Sequence, residues 1–239
     1  MMKFSCEKVL LQSAIAVTSR AVAQKSSIPA LEGLLLHVDT NLTVSGYNMQ
    51  TGIRTKVSAD VTGQGDIVLN ARLFGDIIRR MPDDVITFSA DDRQTVHLSC
   101  GDANFDILGL SAADYPDLPE VEDEYSVSIQ QKTLRAMIEE TAFAVSTNES
   151  RPVHTGALFE VEDTTLTLVA VDGYRLALRR ETFIRKFGMN TFSFVVPGNA
   201  LTEVERICAD CDDEVIVTLG DRHVTFQVGQ TLLVSRRLE

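Results

Sequence analysis

The stretch LQSAIAVTSRAV at residues 11–22 returns, as a pattern, in LRAMIEETAFAV at residues 134–145. In both stretches the apolar and small residues recur at i, i+3, i+4, i+7, i+10 and i+11, which is the spacing of one face of an α-helix. Each stretch follows a short alternating segment, FSC at 4–6 or VSI at 127–129. The matched positions, 123 residues apart, are Leu11, Ala14, Ile15, Thr18, Ala21 and Val22 in the first copy, and Leu134, Met137, Ile138, Thr141, Ala144 and Val145 in the second. The pattern predicts a duplicated strand–helix unit.

The repeat continues downstream of this helix. Pro29 and Gly33 correspond to Pro152 and Gly156, and each glycine opens a predicted strand. A second helix is predicted from about Arg72. Its inner face (Phe74, Ile77, Ile78, Met81) corresponds, 127 residues later, to Leu201, Val204, Glu205 and Cys208. Alternating strands follow both helices, at VITFS (85–89) and VIVTL (215–219). Small loop insertions explain the change in spacing.

Two helices backed by many antiparallel strands, twice over, predict an α+β fold of two tandem pseudo-symmetric domains. The segment SAADYPDLPEVEDE (111–124) combines two prolines with a run of acids, so we expect an exposed connector there. We place the domains at 1–121 and 122–239.

The composition favours a soluble cytoplasmic protein with no membrane partner. No stretch has the roughly 18 unbroken apolar residues of a membrane span, and four cysteines without dense spacing fit a reducing compartment. The 34 acidic and 22 basic residues give a net charge of −12. That average argues against nucleic acid as a partner, but it does not exclude a local basic surface.

The sequence has only weak matches to motifs for metal binding, catalysis or nucleotide binding. Cys208 and Cys211 form a CxxC, but no second CxxC and no paired histidines complete a metal site. Cys208 also takes the core-facing position of Met81 in the repeat, so a buried free thiol explains it better. No local motif pairs a histidine with a nucleophile, and no glycine cluster fits a dinucleotide or phosphate loop. We therefore predict no catalytic residues, no metal and no cofactor.

Three segments carry a resemblance to a known family: SAADYPDLP (111–119), VAVDGYRLAL (169–178) and VVPGNAL (195–201). Together with the repeat, they resemble the beta subunit of bacterial DNA polymerase III, the sliding clamp, over the whole chain. In that family each subunit has three such domains, and two subunits close head to tail into a ring. The resemblance covers domains one and two only. It implies a truncated form or a gene fragment, without the third domain and half of the ring contact.

The resemblance implies a non-catalytic processivity subunit that encircles double-stranded DNA regardless of sequence. Its expected partners are the replicative polymerase alpha subunit and the clamp loader, both through peptide motifs, and a second clamp subunit. A sparse basic lining on the helices would contact phosphates without reading bases. Helical periodicity or the resemblance places these candidates toward DNA: Arg20, Lys25, Arg72, Arg79, Arg80, Lys132, Arg135, Arg151 and Arg206. Ordinary solvated helix faces remain an alternative, which Glu139, Glu140, Glu203 and Glu205 favour. Gly198 and Asn199 replace basic residues that are common in the family.

The resemblance also implies half of a peptide-binding pocket. A glycine beside an aromatic residue and a leucine can form an apolar wall that a peptide backbone approaches closely. The candidates are His154, Val171, Gly173, Tyr174, Arg175 and Leu176. A plain hairpin turn would also use Asp172-Gly173. His154 stands where the family usually has an apolar residue.

Three other interpretations stay open at this stage. The two domains could be a complete subunit that closes as a trimer, as eukaryotic and archaeal clamps do. Cys208 and Cys211 could serve a thiol enzyme or a metal protein. The chain could also be an α+β repeat protein without any role on DNA.

Overall fold

The protein is described by a computed structural model that covers residues 1–122, 125–188 and 191–239. The chain divides into two compact units, Met1–Leu118 and Pro119–Glu239. This division lies slightly before the boundary placed at residue 121. Asp123 of the connector lies outside the described residues.

The first unit contains two helices and nine strands. In chain order they are β1 Met2–Glu7, α1 Lys8–Thr18, β2 Gly33–Val38, β3 Leu42–Tyr47, β4 Thr51–Val57, β5 Asp60–Gly63, β6 Gly65–Asn70, α2 Ala71–Arg80, β7 Val85–Ala90, β8 Thr95–Cys100 and β9 Ala103–Leu108. Within the unit the strand orders are β4-β3-β2-β6 and β5-β1-β7-β8-β9, and the paired strands are antiparallel.

The second unit repeats this plan. Its elements are β10 Tyr125–Gln130, α3 Gln131–Glu139, β11 Gly156–Glu162, β12 Thr165–Val171, β13 Leu176–Thr182, β14 Arg185–Phe187, β15 Thr191–Pro197, α4 Gly198–Ile207, β16 Glu214–Leu219, β17 His223–Val228 and β18 Thr231–Arg236. The strand orders, β13-β12-β11-β15 and β14-β10-β16-β17-β18, match those of the first unit position by position. The predicted α+β fold with two helices in each copy is confirmed.

Each unit is held by its own core of apolar side chains. In the first unit Phe4 of β1 stacks on Phe88 of β7, with ring centroids 4.6 Å apart. In the second unit Phe159 of β11 stacks on Phe194 at 5.2 Å and meets the edge of Phe226 at 6.1 Å. Burial of such aromatic and aliphatic surface is the main stabilising contribution to each unit.

Two threonines at equivalent positions mark where α1 and α3 end. Thr18 and Thr141 are completely buried, and each hydroxyl donates to the carbonyl four residues earlier, at 2.7 Å in both units. This local bond offers the backbone an alternative to a continued α-helix. A short 3-10 turn therefore follows each helix, at Ser19–Ala21 and at Ala142–Ala144. The predicted helical stripes are buried as expected but end in these turns rather than in regular helix.

The helices lie directly against the sheets. Gly46 of β3 shows how close the contact is, because a β-carbon placed there would lie 2.1 Å from the carbonyl oxygen of Thr18. Only glycine allows the backbone of β3 to approach the end of α1 so closely.

The first half of the connector is anchored by one buried residue. Ser111 accepts a hydrogen bond from the amide of Ala113 at 3.2 Å and starts a short 3-10 turn. Tyr115 follows it, buried beside Tyr47, and its hydroxyl donates to the carbonyl of Ser45 at 3.4 Å. Burial raises the pKa of Tyr115. The prediction of an exposed connector holds at Ser111, Ala113, Asp114 and Asp117, which are exposed, and is wrong at Tyr115. The large aromatic ring of this residue gains more free energy from burial in the core than from contact with solvent.

Candidate functional site

The first unit presents a groove between its two helices, lined by two arginines and by Glu32 and Asp76. The groove has a volume of about 700 Å³, and its lining includes Gln12 and Gln24 on one side and Arg72 and Arg79 on the other. Arg79 donates to Asp76 at 2.6 Å. Arg72 is exposed and makes no ion pair with the residues that the structure describes. The predicted positions Arg72 and Arg79 are thus brought to one surface.

Three other predicted positions of the first unit lie outside the lining of this groove. Arg80 is exposed on the last turn of α2, Arg20 is exposed in the 3-10 turn after α1, and Lys25 is exposed in the segment that follows. All three side chains reach solvent, so nothing in their burial prevents contact with a phosphate backbone.

The basic residues of the second unit are paired with acids. Lys132 Nζ lies 2.5 Å from Asp212, Arg135 Nε lies 2.9 Å from Glu139, and Arg206 lies 2.8 Å from Glu203. The hydrogen bond to Asp212 raises the pKa of Lys132, and the hydrogen bond to Glu139 raises that of Arg135. The remaining predicted position, Arg151, is exposed in the segment before β11.

These acidic partners were not singled out as such from the sequence. The spacing i, i+3 for Glu203 and Arg206, and i, i+4 for Arg135 and Glu139, is that of helical ion pairs and could have identified them. The contact between Lys132 and Asp212 joins residues far apart in the chain, so no local pattern reveals it.

The turn between β12 and β13 gathers five of the six predicted pocket residues. The carboxylate of Asp172 accepts hydrogen bonds from the amides of Tyr174 (3.0 Å) and Arg175 (3.1 Å) and from the guanidinium of Arg175 (2.8 Å). The bond from the Tyr174 amide is the largest of several causes that lower the pKa of Asp172. Gly173 has φ = 91°, a left-handed conformation that favours glycine. The turn is therefore a rigid Asx-type turn.

Apolar side chains project from this turn into solvent. Tyr174 is 100% exposed, and Leu176 and Leu178 on the edge strand β13 are 63% and 55% exposed. The guanidinium of Arg175 lies over the ring of Phe143, 5.4 Å from its centroid, a cation–π contact. Exposed apolar side chains grouped around a rigid turn are typical of a binding surface. Phe143 belongs to this surface as well, although the sequence pattern did not predict it.

His154 is positioned separately from that turn. It lies half-buried in the 3-10 turn Pro152–Thr155, where its amide donates to Arg151 at 3.0 Å and its carbonyl accepts from Ser146 at 2.8 Å. These two hydrogen bonds fix the backbone of His154 in a different element from the turn that holds Tyr174.

The thiols do not form a reactive site. Cys208 is buried at the end of α4, as Met81 is at the end of α2, and burial raises the pKa of Cys208 to about 12. Within the described ranges, no group of three His, Cys, Asp or Glu side chains is arranged to hold a metal ion. None of the helices in those ranges has the length and apolar character that crossing a bilayer would need.

Family models match both units. Residues 2–119 match the N-terminal domain of the DNA polymerase III beta subunit, and residues 128–239 match its central domain. The chain is 31% identical to the beta sliding clamp of Halalkalibacterium halodurans and 32% identical to that of Synechocystis, over all of its own length. It spans about 65% of the first relative and 66% of the second.

Solved structures agree with the sequence relatives. A putative DNA polymerase III beta subunit from Eubacterium rectale superposes with a TM-score of 0.95 at 30% identity, and the match covers 100% of this chain and 66% of the other. The sliding clamp of Bacillus subtilis gives a TM-score of 0.94 at 29% identity, with coverage of 100% and 65%. The chain belongs to the DNA polymerase III beta subunit family, the sliding clamps, and contains the N-terminal and central domains of that family.

Proposed function

We propose that this chain is the part of a DNA sliding clamp that supplies two of the domains in each subunit. The observation that carries the proposal is the doubled α+β unit, with three arginines against one aspartate on helix α2 of the first copy, in a chain whose two units both match the clamp family. The role is topological and non-catalytic: the assembled ring encircles duplex DNA and keeps the replicative polymerase on it. It uses no cofactor and acts in the cytoplasm.

Duplex DNA is the first proposed partner, and the nine basic positions are the candidates for its contact surface. Sparse, exposed cations attract phosphates without reading sequence. On linear DNA, where topology cannot help, binding by this chain should be weak, independent of sequence and steeply dependent on salt. Fluorescence anisotropy with labelled duplexes of two unrelated sequences tests this. Tight binding that resists salt would contradict the proposal.

Peptide motifs of the polymerase alpha subunit and of the clamp loader are the second proposed partners. The exposed side chains Tyr174 and Leu176 would contact the apolar residues of such a peptide, and Gly173 would let its backbone come close. Titration with a labelled clamp-binding peptide should show weak binding that Leu176→Ala reduces several-fold. Leu108→Ala removes another exposed leucine, 74% against 63% for Leu176, from the first unit and serves as the matched control. Equal effects of both variants would argue against this site.

A second clamp subunit is the third proposed partner, and the edge strand β9 is the surface that would meet it. β9 ends the five-stranded sheet and exposes Phe105 and Leu108, the latter by 74%. An open edge with apolar side chains is a template for pairing with another chain. In the family that the chain resembles, the edge that would pair with β9 belongs to the third domain, so a polypeptide of residues 1–239 by itself should be monomeric by light scattering. A stable trimer would instead support the interpretation of a complete two-domain subunit.

A further inference from the structure

The helices of the two units differ in net charge. Helix α2 carries three arginines and one aspartate, whereas α3 and α4 together carry one lysine and two arginines against three glutamates. Within the described residues, Arg72 and Arg80 make no ion pair. The same surface of the fold is thus basic in one unit and neutral in the other.

In the second unit two of the three helical cations lie beside more than one acid. Arg135 is hydrogen-bonded to Glu139 and experiences the charges of Glu205 and Asp210 as well. Lys132 contacts Asp212 and lies in the field of Asp210.

The pair of Glu203 and Arg206 is the most shielded of these. The Glu203 side chain is only 16% exposed, so this pair is less screened by salt than one in open solvent.

Such pairing changes what a cation can do for DNA. A free cation near a phosphate displaces a condensed counterion, and that release drives binding. A cation already paired brings its carboxylate to the same place, and the carboxylate repels the phosphate while the cation attracts it. Exposed pairs are individually weak, so the phosphate could separate them, but the net charge that it meets stays near zero.

We propose that α2 supplies the attraction for DNA, and that Glu139, Glu203 and Asp212 keep the helix face of the second unit neutral. The acids act as a built-in limit on affinity, so that a duplex can move past this face without being held. This inference rests on the proposed clamp function. It assigns an affinity-limiting role to acidic side chains of the second unit.

Three variants of the full chain test the inference. The first removes free cations (Arg72→Gln with Arg80→Gln). The second removes paired cations (Lys132→Gln, Arg135→Gln and Arg206→Gln). The third neutralises the acids that pair with those cations (Glu139→Gln, Glu203→Gln and Asp212→Asn). A control with the same change of net charge replaces three exposed aspartates in hairpin turns by asparagine (Asp92, Asp102 and Asp163).

The measurement is the affinity for a linear duplex by anisotropy, between about 50 and 200 mM salt, plotted as log K against log salt concentration. The first variant should lower the slope by about one for each phosphate contact that is lost. The second should leave the slope nearly unchanged. The third should bind several-fold more tightly, with a steeper slope, and clearly more tightly than the control.

Two results would overturn the inference while leaving the proposed function in place. One is a loss of slope in the second variant as large as in the first, and the other is an affinity of the third variant equal to that of the control. If the unmodified chain shows no salt-dependent binding at all, the proposed DNA contact fails and the inference fails with it. Circular dichroism spectra equal to that of the unmodified chain show that these surface changes leave the fold intact.

Discussion

The two buried threonines allow a comparison within one molecule. Thr141→Val removes a hydroxyl without changing the shape of the side chain, and so does Thr18→Val. In the second unit the amide of Thr141 donates to Ile138 at 3.1 Å, so the carbonyl of Met137 relies on the Thr141 hydroxyl, 2.7 Å away. Thr18 lies inside α1, where its own amide follows the regular i→i−4 pattern.

The costs of the two changes should therefore differ. Thr18→Val loses one hydrogen bond, which contributes about 0.5–1.5 kcal/mol. Thr141→Val also leaves a buried carbonyl unsatisfied, which raises the cost to about 1–3 kcal/mol. The comparison is independent of hydrophobic burial, since both sites are fully buried and both replacements are the same.

Hydrogen exchange followed by mass spectrometry measures both effects in the intact chain. Exchange through unfolding of a unit should accelerate about tenfold for each 1.4 kcal/mol lost. Thr141→Val should accelerate exchange in peptides from residues 125–239 and leave those from 1–118 as an internal reference, and Thr18→Val should do the reverse. A larger acceleration from Thr18→Val would refute the reasoning about the Met137 carbonyl.

Three further results are expected. Alkylation of the folded protein at neutral pH should spare Cys6 and Cys208, whose pKa values burial raises to about 12, and fast labelling of Cys208 would revive the thiol-enzyme interpretation. Burial, followed by the charge of Arg236, lowers the pKa of His223 below its ordinary value of 6.5, so the unfolded chain binds more protons. Stability should therefore decrease as the pH falls through about 6.5, and urea titrations of His223→Gln should show a weaker pH dependence. Phe159→Ala should destabilise the second unit by about 3–5 kcal/mol in the same kind of titration, with little change in the first.

The periodicity of the sequence was sufficient to predict much of the fold. The apolar stripes that begin at Leu11 and Leu134 were enough to predict two helices and the repeat. A helix that buries one face has apolar residues at helical spacing, and this spacing is visible in the sequence. The 3-10 turns after Thr18 and Thr141 were missed, since a buried hydroxyl that bonds to its own helix leaves the same apolar pattern. Burial of Tyr115 was missed because two prolines and many acids dominate the composition around it.

The candidate sites were less accessible to prediction from pattern alone. Asp172-Gly173 fits a plain hairpin as well as a binding turn, and only the family resemblance distinguished them. Phe143 was missed because it meets Arg175 through tertiary packing. The pairing of Lys132 with Asp212 is likewise set by the fold, so sequence showed the cation but not that it is neutralised.

Residues 1–118 form a compact unit, and the strand orders β4-β3-β2-β6 and β5-β1-β7-β8-β9 use only strands from that segment. The strands of these two orders are therefore all present once that segment has left the ribosome. At about 5–20 residues per second, synthesis of the second unit takes roughly another 6 to 24 s. The first unit thus has time to fold during translation, which removes its apolar strands from solution before the equivalent strands of the second unit emerge. A duplicated chain whose strands resemble one another is in this way protected, by the order of its synthesis, from exchanging equivalent strands between the two copies.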